Sequence, residues 1–508
     1  MSERILDIEI RGTGNLNQYE ELVKVFLQPA QYRIHGEETE GGAEADPSMV
    51  PAAVPGPENS PAAVVQEDPD VRRLVYDVSL DEAKDKAGDR YVVIRQMYED
   101  LAAWTGKRPK WGVLTGIRPV KLAGEIEERL DAQSEERSEE RSEEERASAA
   151  ELLLQRQYLL HPHKARLATE ILHRQRRLAG QPPEDSLSLY IGIPFCPTRC
   201  LYCSFTSNQV SGEEIRRYMT ALEKEIRWAG EAVKKAGLRV ESVYMGGGTP
   251  TTPEPELLEE LLGTVDEAFD FAGCREYTVE AGRPDTITAE KLEILRNHGV
   301  DRISINPQSM QQRTLDLIGR KHTTEDVRRA FALAKEAGLS SINADLIAGL
   351  PGEDYGDCTD SLEQMIGLGT DNITLHTLAV KRASRLKERD ENLHYRDEEL
   401  REKMLAYAGE RLRREGFLPY YLYRQKHTSG NTENIGFCRE DRISIYNIRI
   451  MEEHQSILAL GAGGISKVWF PEQNRLERVP NVSNYEIYID RIDDMIDRKR
   501  KGFFGQEE

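Results

Sequence analysis

Long apolar runs are missing from this sequence: nowhere do about 18 apolar residues follow one another, so no membrane-crossing helix is expected. A basic-then-apolar leader is missing too, since the chain opens Met1-Ser-Glu-Arg-Ile-Leu-Asp-Ile-Glu-Ile. The expectation is a cytoplasmic protein without membrane insertion. Cysteine is scarce. Six in 508 residues cannot build a disulfide scaffold, and a clustered subset in a reducing compartment suits metal ligation. Positive charge is also short, 68 Lys and Arg against 89 Asp and Glu, and the net charge of −21 argues against the broad basic face that a nucleic-acid partner needs. What is present suits globular cores: 39% hydrophobic residues in a chain long enough for two or three domains.

Half of the cysteines fall in one loop. Cys196, Cys200 and Cys203 stand in Tyr190-Ile-Gly-Ile-Pro-Phe-Cys-Pro-Thr-Arg-Cys-Leu-Tyr-Cys, just past an apolar run, Leu187 to Phe195, that reads as a buried strand. Three thiolates can hold a [4Fe–4S] cube and leave its fourth iron without a protein ligand, whereas a closed cluster or a structural zinc takes four. That open iron would be a chemical site. Phe195 and Tyr202, interleaved with the cysteines, would shield the cluster and influence its potential through burial. Cys274, Cys358 and Cys438 are scattered and read as buried thiols.

Taken in order, residues 3–10 alternate like a strand, 18–27 have helical spacing, 74–78 alternate again, and 89–105 suggest a helix, a small α/β unit over 1–110. Within it, 37–70 are rich in Gly, Ala, Pro and Glu and read as a flexible insertion. A helical linker is expected over 111–186. Its segment Lys110-Trp-Gly-Val-Leu-Thr-Gly-Ile-Arg-Pro-Val-Lys suits either an anionic-ligand site or a packed connector. Its near-repeat Ser-Glu-Glu-Arg within 125–146 suits an exposed, ion-paired helix or a disordered tract, and Arg174, Arg176 and Arg177 a solvated face. From Leu187 the rhythm becomes strand–helix alternation. Strands are expected at 187–193, 240–245, 276–280, 302–306, 341–347 and 372–378. Ile215, Tyr218, Met219, Leu222, Ile226, Ala229 and Val233 trace one helical face, and further helices are expected at 255–269, 287–298, 324–337 and 357–368. Alternation of this kind implies parallel strands with right-handed crossovers, here an α/β fold with an incomplete (β/α)6 TIM-like barrel over 187–385. A small N-terminal α/β domain precedes it, and a C-terminal α+β domain follows over 386–508.

Catalytic groups in such barrels gather at the C-terminal strand ends, where the unusual residues of this chain also fall. The second strand is followed by Gly246-Gly247-Gly248-Thr249-Pro250, the third by Glu280 in Glu-Ala-Gly-Arg-Pro, and the fourth by Gln308 in Ile-Asn-Pro-Gln-Ser. Arg320 and His322 follow in Gly-Arg-Lys-His, and Asp345 opens Asp-Leu-Ile-Ala-Gly-Leu-Pro-Gly. Each could cap a helix or satisfy a loop. Together they offer acceptors for an amine and ribose hydroxyls and a cation for a carboxylate, the set S-adenosylmethionine would need beside an open iron.

These motifs, with Asn434-Ile-Gly-Phe and Leu460-Gly-Ala-Gly-Gly-Ile-Ser further on, resemble the radical S-adenosylmethionine family. Within it they resemble the oxygen-independent coproporphyrinogen III dehydrogenase branch, which also contains haem chaperones. The resemblance covers about 187–470 and implies that Cys196, Cys200 and Cys203 ligate the cluster. Gly247, Gly248 and Thr249 would border the methionine end of the cofactor. Glu280, Gln308, Arg320 and Asp345 would contact its amino, ribose and carboxylate groups, and Tyr190 and Ala379 its nucleoside. It further implies a 5′-deoxyadenosyl radical, porphyrin biosynthesis by oxidative decarboxylation of coproporphyrinogen III propionates to vinyls, and a flavodoxin- or ferredoxin-type electron donor. Two departures stand out: Gly192 occupies the place of the family's histidine, and Phe205 that of a further cysteine in the oxidase itself. They leave haem binding by a chaperone-like protein, or radical methylation or ring opening of a tetrapyrrole, as alternatives. Basic residues for the substrate's carboxylates are sought at Arg118 and Lys121, or at Lys381 and Arg382.

Overall fold

The computed structural model describes residues 5–11, 13, 15–37, 62–68, 71–77, 91–116, 118–136, 142–205, 207–379, 385–386, 398–425, 432–440 and 442–505. Two compact units emerge, Met1–Thr169 with Arg424–Thr432, and Glu170–Tyr423 with Glu433–Glu508, so the boundary falls inside the expected helical stretch 111–186.

The first unit carries β1 (Ile5–Arg11), α1 (Asn17–Phe26), β2 (Tyr32–Glu37), β3 (Ala62–Asp68) and β4 (Val71–Asp77) in a sheet of order β2-β1-β4-β3. β3 lies within the stretch read as a flexible insertion and pairs antiparallel with β4; residues 38–61 of that stretch lie outside the described residues. The strand Ala62-Ala-Val-Val is apolar enough to join a sheet that β1 already anchors through buried Leu6, Ile8 and Ile10. Helices α2 (Val92–Thr105), α3 (Pro119–Glu136), α4 (Glu143–Tyr158) and the start of α5 (Pro162–Leu178) follow. α4 begins at Ser142, whose hydroxyl accepts the Glu145 N–H at 3.2 Å while the Glu145 carboxylate takes the Ser142 N–H at 2.8 Å. The charged run is thus helical up to 136 and again from 143, and α3 buries Ile126 and Glu127 within it. In the segment that suits either an anionic-ligand site or a packed connector, Trp111, Val113 and Leu114 are buried, with Trp111 beneath the Arg424 guanidinium at 5.2 Å.

The second unit is organised by six parallel strands in sequence order, β5 (Ser186–Ile193), β6 (Arg239–Gly247), β7 (Glu276–Val279), β8 (Arg302–Ser304), β9 (Ser341–Ala348) and β10 (Asn372–Thr377). They match the six strands expected. Between them run α6 (Gly212–Lys235), α7 (Pro255–Ala268), α8 (Ala289–Asn297), α9 (Gln312–Leu317), α10 (Thr324–Glu336) and α11 (Tyr355–Gly367). All seven residues read as one face of α6 are buried, as is Glu225 beside them. The C-terminal segment α12 (Glu398–Arg414), β11 (Phe417–Arg424), β12 (Glu433–Arg439), α13 (Ile445–Glu452), β13 (Ser456–Leu460), β14 (Ile465–Phe470) and β15 (Arg475–Pro480) extends both edges of the sheet. β12 pairs antiparallel with β10, and β13 parallel with β5. α14 (Tyr485–Asp490) and α15 (Ile492–Gly502) complete the unit. Arg174 does not lie on a solvated face: it is buried and donates to the Glu440 carbonyl and, at 3.6 Å, to Cys438 Sγ.

One face of the six strands packs under the helices with Leu187, Leu189, Val243, Val279, Ile303, Ala344 and Ile373. The other face is polar. Ser188 meets Ser242 at 2.7 Å, and Asn343 Nδ2 donates to Ser304 at 3.2 Å while its Oδ1 accepts from Thr374 at 3.2 Å. The N-terminal end of this lumen is closed by α13. Glu276 accepts from Ser444 Oγ at 2.8 Å and from the Ile445 N–H, and from that closed end the Tyr446 ring reaches along the lumen to stack on Tyr244 with centroids 4.6 Å apart. At the other end Tyr190, Tyr244, Glu280, Asp345 and His376 are only half-buried, so the lumen opens where the strands finish.

Candidate functional site

The cysteine loop leaves β5 at Ile193 and is pinned from several sides. Cys196 N–H donates to Asn208 O at 3.1 Å, Leu201 N–H to Ile318 O at 2.9 Å, and Thr249 N–H to Phe195 O at 2.7 Å. The glycine run has a definite task here. A Cβ on Gly248 would stand 2.5 Å from the Phe195 carbonyl oxygen, so only glycine lets the end of β6 lie against the cysteine loop. Gly247 has φ +111°, a backbone region that L side chains rarely adopt.

Each of the three thiols has its own hydrogen-bond donor. Cys196 Sγ lies 3.3 Å from the Thr249 hydroxyl, Cys200 Sγ takes a guanidinium N–H of Arg283 at 3.7 Å, and Cys203 takes the Phe205 backbone N–H. Tyr202 also bonds Cys200 through its side chain, and burial holds its phenol well above the usual tyrosine range. Burial pushes the Cys196 thiol up to about 11 despite Thr249, so a buried thiolate there needs a cation for company. Donors aimed at sulfur are what thiolate cluster ligands require. The remaining cysteines are apart from this loop. Cys358 and Cys438 are buried, whereas Cys274 is only half-buried and donates to Glu276 O at 3.3 Å.

Along the strand ends, Tyr190 stacks against Tyr244 and Tyr446, with centroids 6.4 and 6.3 Å away. Tyr244 OH donates to Glu280. Burial pushes the Glu280 carboxyl up to about 7, the negative charge of Asp345 adding to the effect and the Tyr244 hydrogen bond opposing it. Burial also works to raise Asp345, but His376 at 3.4 Å and Asn343 at 2.8 Å outweigh it and hold that carboxyl below the ordinary value. His376 Nδ1 in turn lies 3.1 Å from Tyr423 OH. Two carboxyls of opposite tendency thus face one opening.

Gln308 is held at φ +70°, and its backbone bridges to Leu346 beside Asp345. Its Oε1, like Asn306 Oδ1, is buried and accepts nothing, leaving two acceptors for a donor-bearing ligand. Arg320 forks its Nη atoms onto the carbonyls of Asn306 at 3.1 and 2.7 Å and of Gly282 at 3.0 Å, tying the exits of β7 and β8; its Nε accepts no duty of this kind and stays unpaired. Burial, with Arg320, drives His322 to about 3, so that ring is neutral. Ala379 follows β10 on the same end. Lys381 and Arg382 lie outside the described residues, and Arg118 and Lys121 belong to the first unit at the start of α3.

Sequence reasoning passed over Arg283, Asp285, Tyr244, Asn306 and His376. The signal was available as period-two polarity inside apolar strands, Glu276-Tyr-Thr-Val-Glu280, Arg302-Ile-Ser-Ile-Asn306 and Asn372-Ile-Thr-Leu-His376, which marks a polar lumen. Gly192 has a physical counterpart: a Cβ there would meet the Leu460 carbonyl oxygen and Tyr190 Cε1, both at 3.3 Å. The β13–β14 turn, fixed by Tyr218 OH between Gly192 O at 2.6 Å and the Ala462 N–H at 2.9 Å, crowds that side of β5.

Residues 190–365 match the model of the radical SAM superfamily. The chain is 39% identical over 408 residues to the oxygen-independent coproporphyrinogen-III oxidase-like protein HemZ of Bacillus subtilis (strain 168), across 79% of this chain and 78% of that protein. It is 33% identical over 195 residues to the heme chaperone HemW of the same organism, across 38% of this chain and 51% of the chaperone. Among solved structures it resembles coproporphyrinogen III oxidase (HemN) from Escherichia coli, described as a radical SAM enzyme, with TM-score 0.50, 23% identity, and coverage of 64% of this chain and 73% of that one. This likeness speaks for the fold. No helix among the described residues is long and apolar enough to cross a membrane.

Proposed function

The chain belongs to the radical SAM superfamily, in its oxygen-independent coproporphyrinogen III oxidase-like branch, and from that premise we propose that it oxidatively decarboxylates coproporphyrinogen III propionates to vinyl groups. The family's cofactors are a [4Fe–4S] cluster and S-adenosylmethionine, which together supply one hydrogen-abstracting radical when the cluster is reduced. Cys196, Cys200 and Cys203 would hold three irons, each thiolate quieted by the donor already aimed at it. Gln308 Oε1 and Asn306 Oδ1 would accept from ribose or amine donors, and ionised Asp345 would face positive charge, joined by Glu280 once it gives up its proton. Tyr190 offers a face for the nucleobase, and Gly247 leaves the strand end without a side chain in the way. For each vinyl group formed, a propionate carbon next to the ring would give its hydrogen atom to that radical, the carboxylate would leave as carbon dioxide, and the one remaining electron would pass to a separate one-electron acceptor. A flavodoxin- or ferredoxin-type protein would deliver the activating electron.

The observation that carries this reading is the seam between β6 and the cysteine loop. There Thr249 stands 3.3 Å from Cys196 Sγ, at the mouth of a polar lumen with unpaired acceptors. A second reading, haem binding in the manner of a chaperone, is favoured by Phe205. It stands in place of the oxidase's further cysteine and is 66% exposed beside the loop. Anaerobic incubation of the reconstituted protein with coproporphyrinogen III, S-adenosylmethionine and reductant distinguishes them. Protoporphyrinogen with stoichiometric 5′-deoxyadenosine supports decarboxylation, and tight haem binding without turnover supports the chaperone. A loaded cluster that never yields 5′-deoxyadenosine sinks the radical chemistry.

A further inference from the structure

We propose that Arg283 is a positioning residue that sets the reduction potential of the cluster held at Cys196, Cys200 and Cys203, by presenting a buried, carboxylate-anchored guanidinium to the Cys200 sulfur. The inference rests on the cluster reading above and extends it to a residue outside the ligand set.

Arg283 is 3% exposed and its fork is fully committed. Nη1 donates to Cys200 Sγ at 3.7 Å and to Thr198 O, within the same loop, at 3.3 Å. Nε and Nη2 grip Asp285 Oδ1 and Oδ2 at 3.0 and 2.8 Å. The backbone under it is equally fixed. Thr286 Oγ1 donates to the Arg283 carbonyl at 2.8 Å and meets Thr251 Oγ1 at 2.7 Å, while Lys291 Nζ donates to Thr251 O at 2.8 Å. The backbone that carries the guanidinium is thus tied to the end of the glycine loop, while the guanidinium itself is held by Asp285 and Thr198.

The three sulfurs are treated unequally. Cys196 has a neutral hydroxyl and Cys203 a neutral backbone N–H; Cys200 has, besides the neutral Tyr202 phenol, a donor that carries a full positive charge. Reduction adds one electron, taken from the external donor, and hence one negative charge to the cluster. A cation fixed beside one thiolate in a low-dielectric site stabilises the reduced form more than the oxidised one. Asp285 opposes it, being an anion one hydrogen bond further out. Arginine is needed rather than lysine, because one planar fork can hold a carboxylate and reach a sulfur together. The two residues therefore push the potential in opposite directions, a signature that a merely structural pair would not give.

The test is an EPR-monitored redox titration of the anaerobically reconstituted full chain, without substrate or S-adenosylmethionine, at one fixed pH. At a poise where the unsubstituted cluster is half reduced, R283Q should lower the reduced-to-oxidised ratio by at least about tenfold, about 59 mV for a one-electron couple. R283K should lower it less, and D285N should raise it. An R283Q ratio within about twofold of the unsubstituted protein, or R283Q and D285N moving the same way, overturns the proposal. Should R283Q fail to retain iron, R283K and D285N decide by the same opposed signs. Absence of cluster iron from the unsubstituted protein would overturn the underlying cluster reading, and iron analysis reveals that separate failure before any titration.

Discussion

Replacing Gly248 by alanine is the smallest perturbation that strikes the seam between the glycine run and the cysteine loop. Its Cβ would lie 2.5 Å from Phe195 O, 2.8 Å from Phe195 N and 2.9 Å from Phe195 C, all inside the 3.0 Å that real Cβ atoms respect. These are backbone atoms, so no side chain can rotate out of the way. The cysteine loop must retreat by about 0.5 Å or more, and with it lengthen the Gly248 N–H to Ile193 O and Thr249 N–H to Phe195 O bonds, both now 2.7 Å. Overpacking of this kind costs ~1–3 kcal/mol, and each weakened hydrogen bond ~0.5–1.5 kcal/mol, together about 2–6 kcal/mol. A kcal/mol lowers Tm by roughly 2–4 °C in a domain of about 150–250 residues and by less in a larger one, so G248A should melt several degrees lower. It should also bind less iron and sulfide per chain, because Cys196 moves with Phe195. Differential scanning fluorimetry of the apo chain and iron–sulfide analysis after reconstitution check both. A G248A protein that loads a full cluster and melts within about 1 °C of the unsubstituted chain would refute the steric account.

G246A is the contrasting case: its Cβ would meet Tyr244 Cε1 at 2.9 Å and Glu280 Cδ at 3.3 Å, which are side-chain atoms. Calorimetry should find S-adenosylmethionine affinity reduced while iron content holds. C200A should lose the cluster's visible absorbance, since it removes one of three ligands; retention of that absorbance would contradict the ligand set. Glu280, raised from 4.5 to about 7 chiefly by burial, keeps its proton in the folded state where the unfolded chain has lost it. Stability therefore falls as pH rises through that window and levels off above it. E280Q should flatten this part of a chemical-denaturation series. It should also abolish a rise in S-adenosylmethionine affinity across roughly pH 6–8, expected if the ionised carboxylate meets a cation. K499M should destabilise the chain by about 3–5 kcal/mol in denaturant titrations, because Glu225 would lose its buried partner at 2.7 Å.

Glu225 illustrates where sequence reading stops. In α6 it reads as one more helical carboxylate, yet it is buried and gathers Lys499 Nζ at 2.7 Å, Tyr488 OH at 2.6 Å, the Gly461 N–H at 2.7 Å and Asn481 Nδ2 at 3.0 Å. Its partners lie more than two hundred positions away. No local pattern encodes such a pairing, and the same holds for Arg174 against Glu440. The converse cases are the six parallel strands and the α6 stripe, where periodicity alone carries the information because each element must bury one face whatever its neighbours are.

The sequence by itself determined the strand–helix order of the barrel, the C-x3-C-x2-C loop and the glycine run that follows β6, since each is a contiguous string whose chemistry follows from residue type and spacing. Only the tertiary structure decided that the strands' second face is a polar lumen, that Gly248 serves the cysteine loop, and that Arg320 ties two strand exits. It also decided that Arg283 and Asp285 stand beside Cys200. Burial and charge proximity belong to chain segments that meet in space: 83 positions separate Arg283 from Cys200, and only the crossovers of the folded sheet bring them within 3.7 Å.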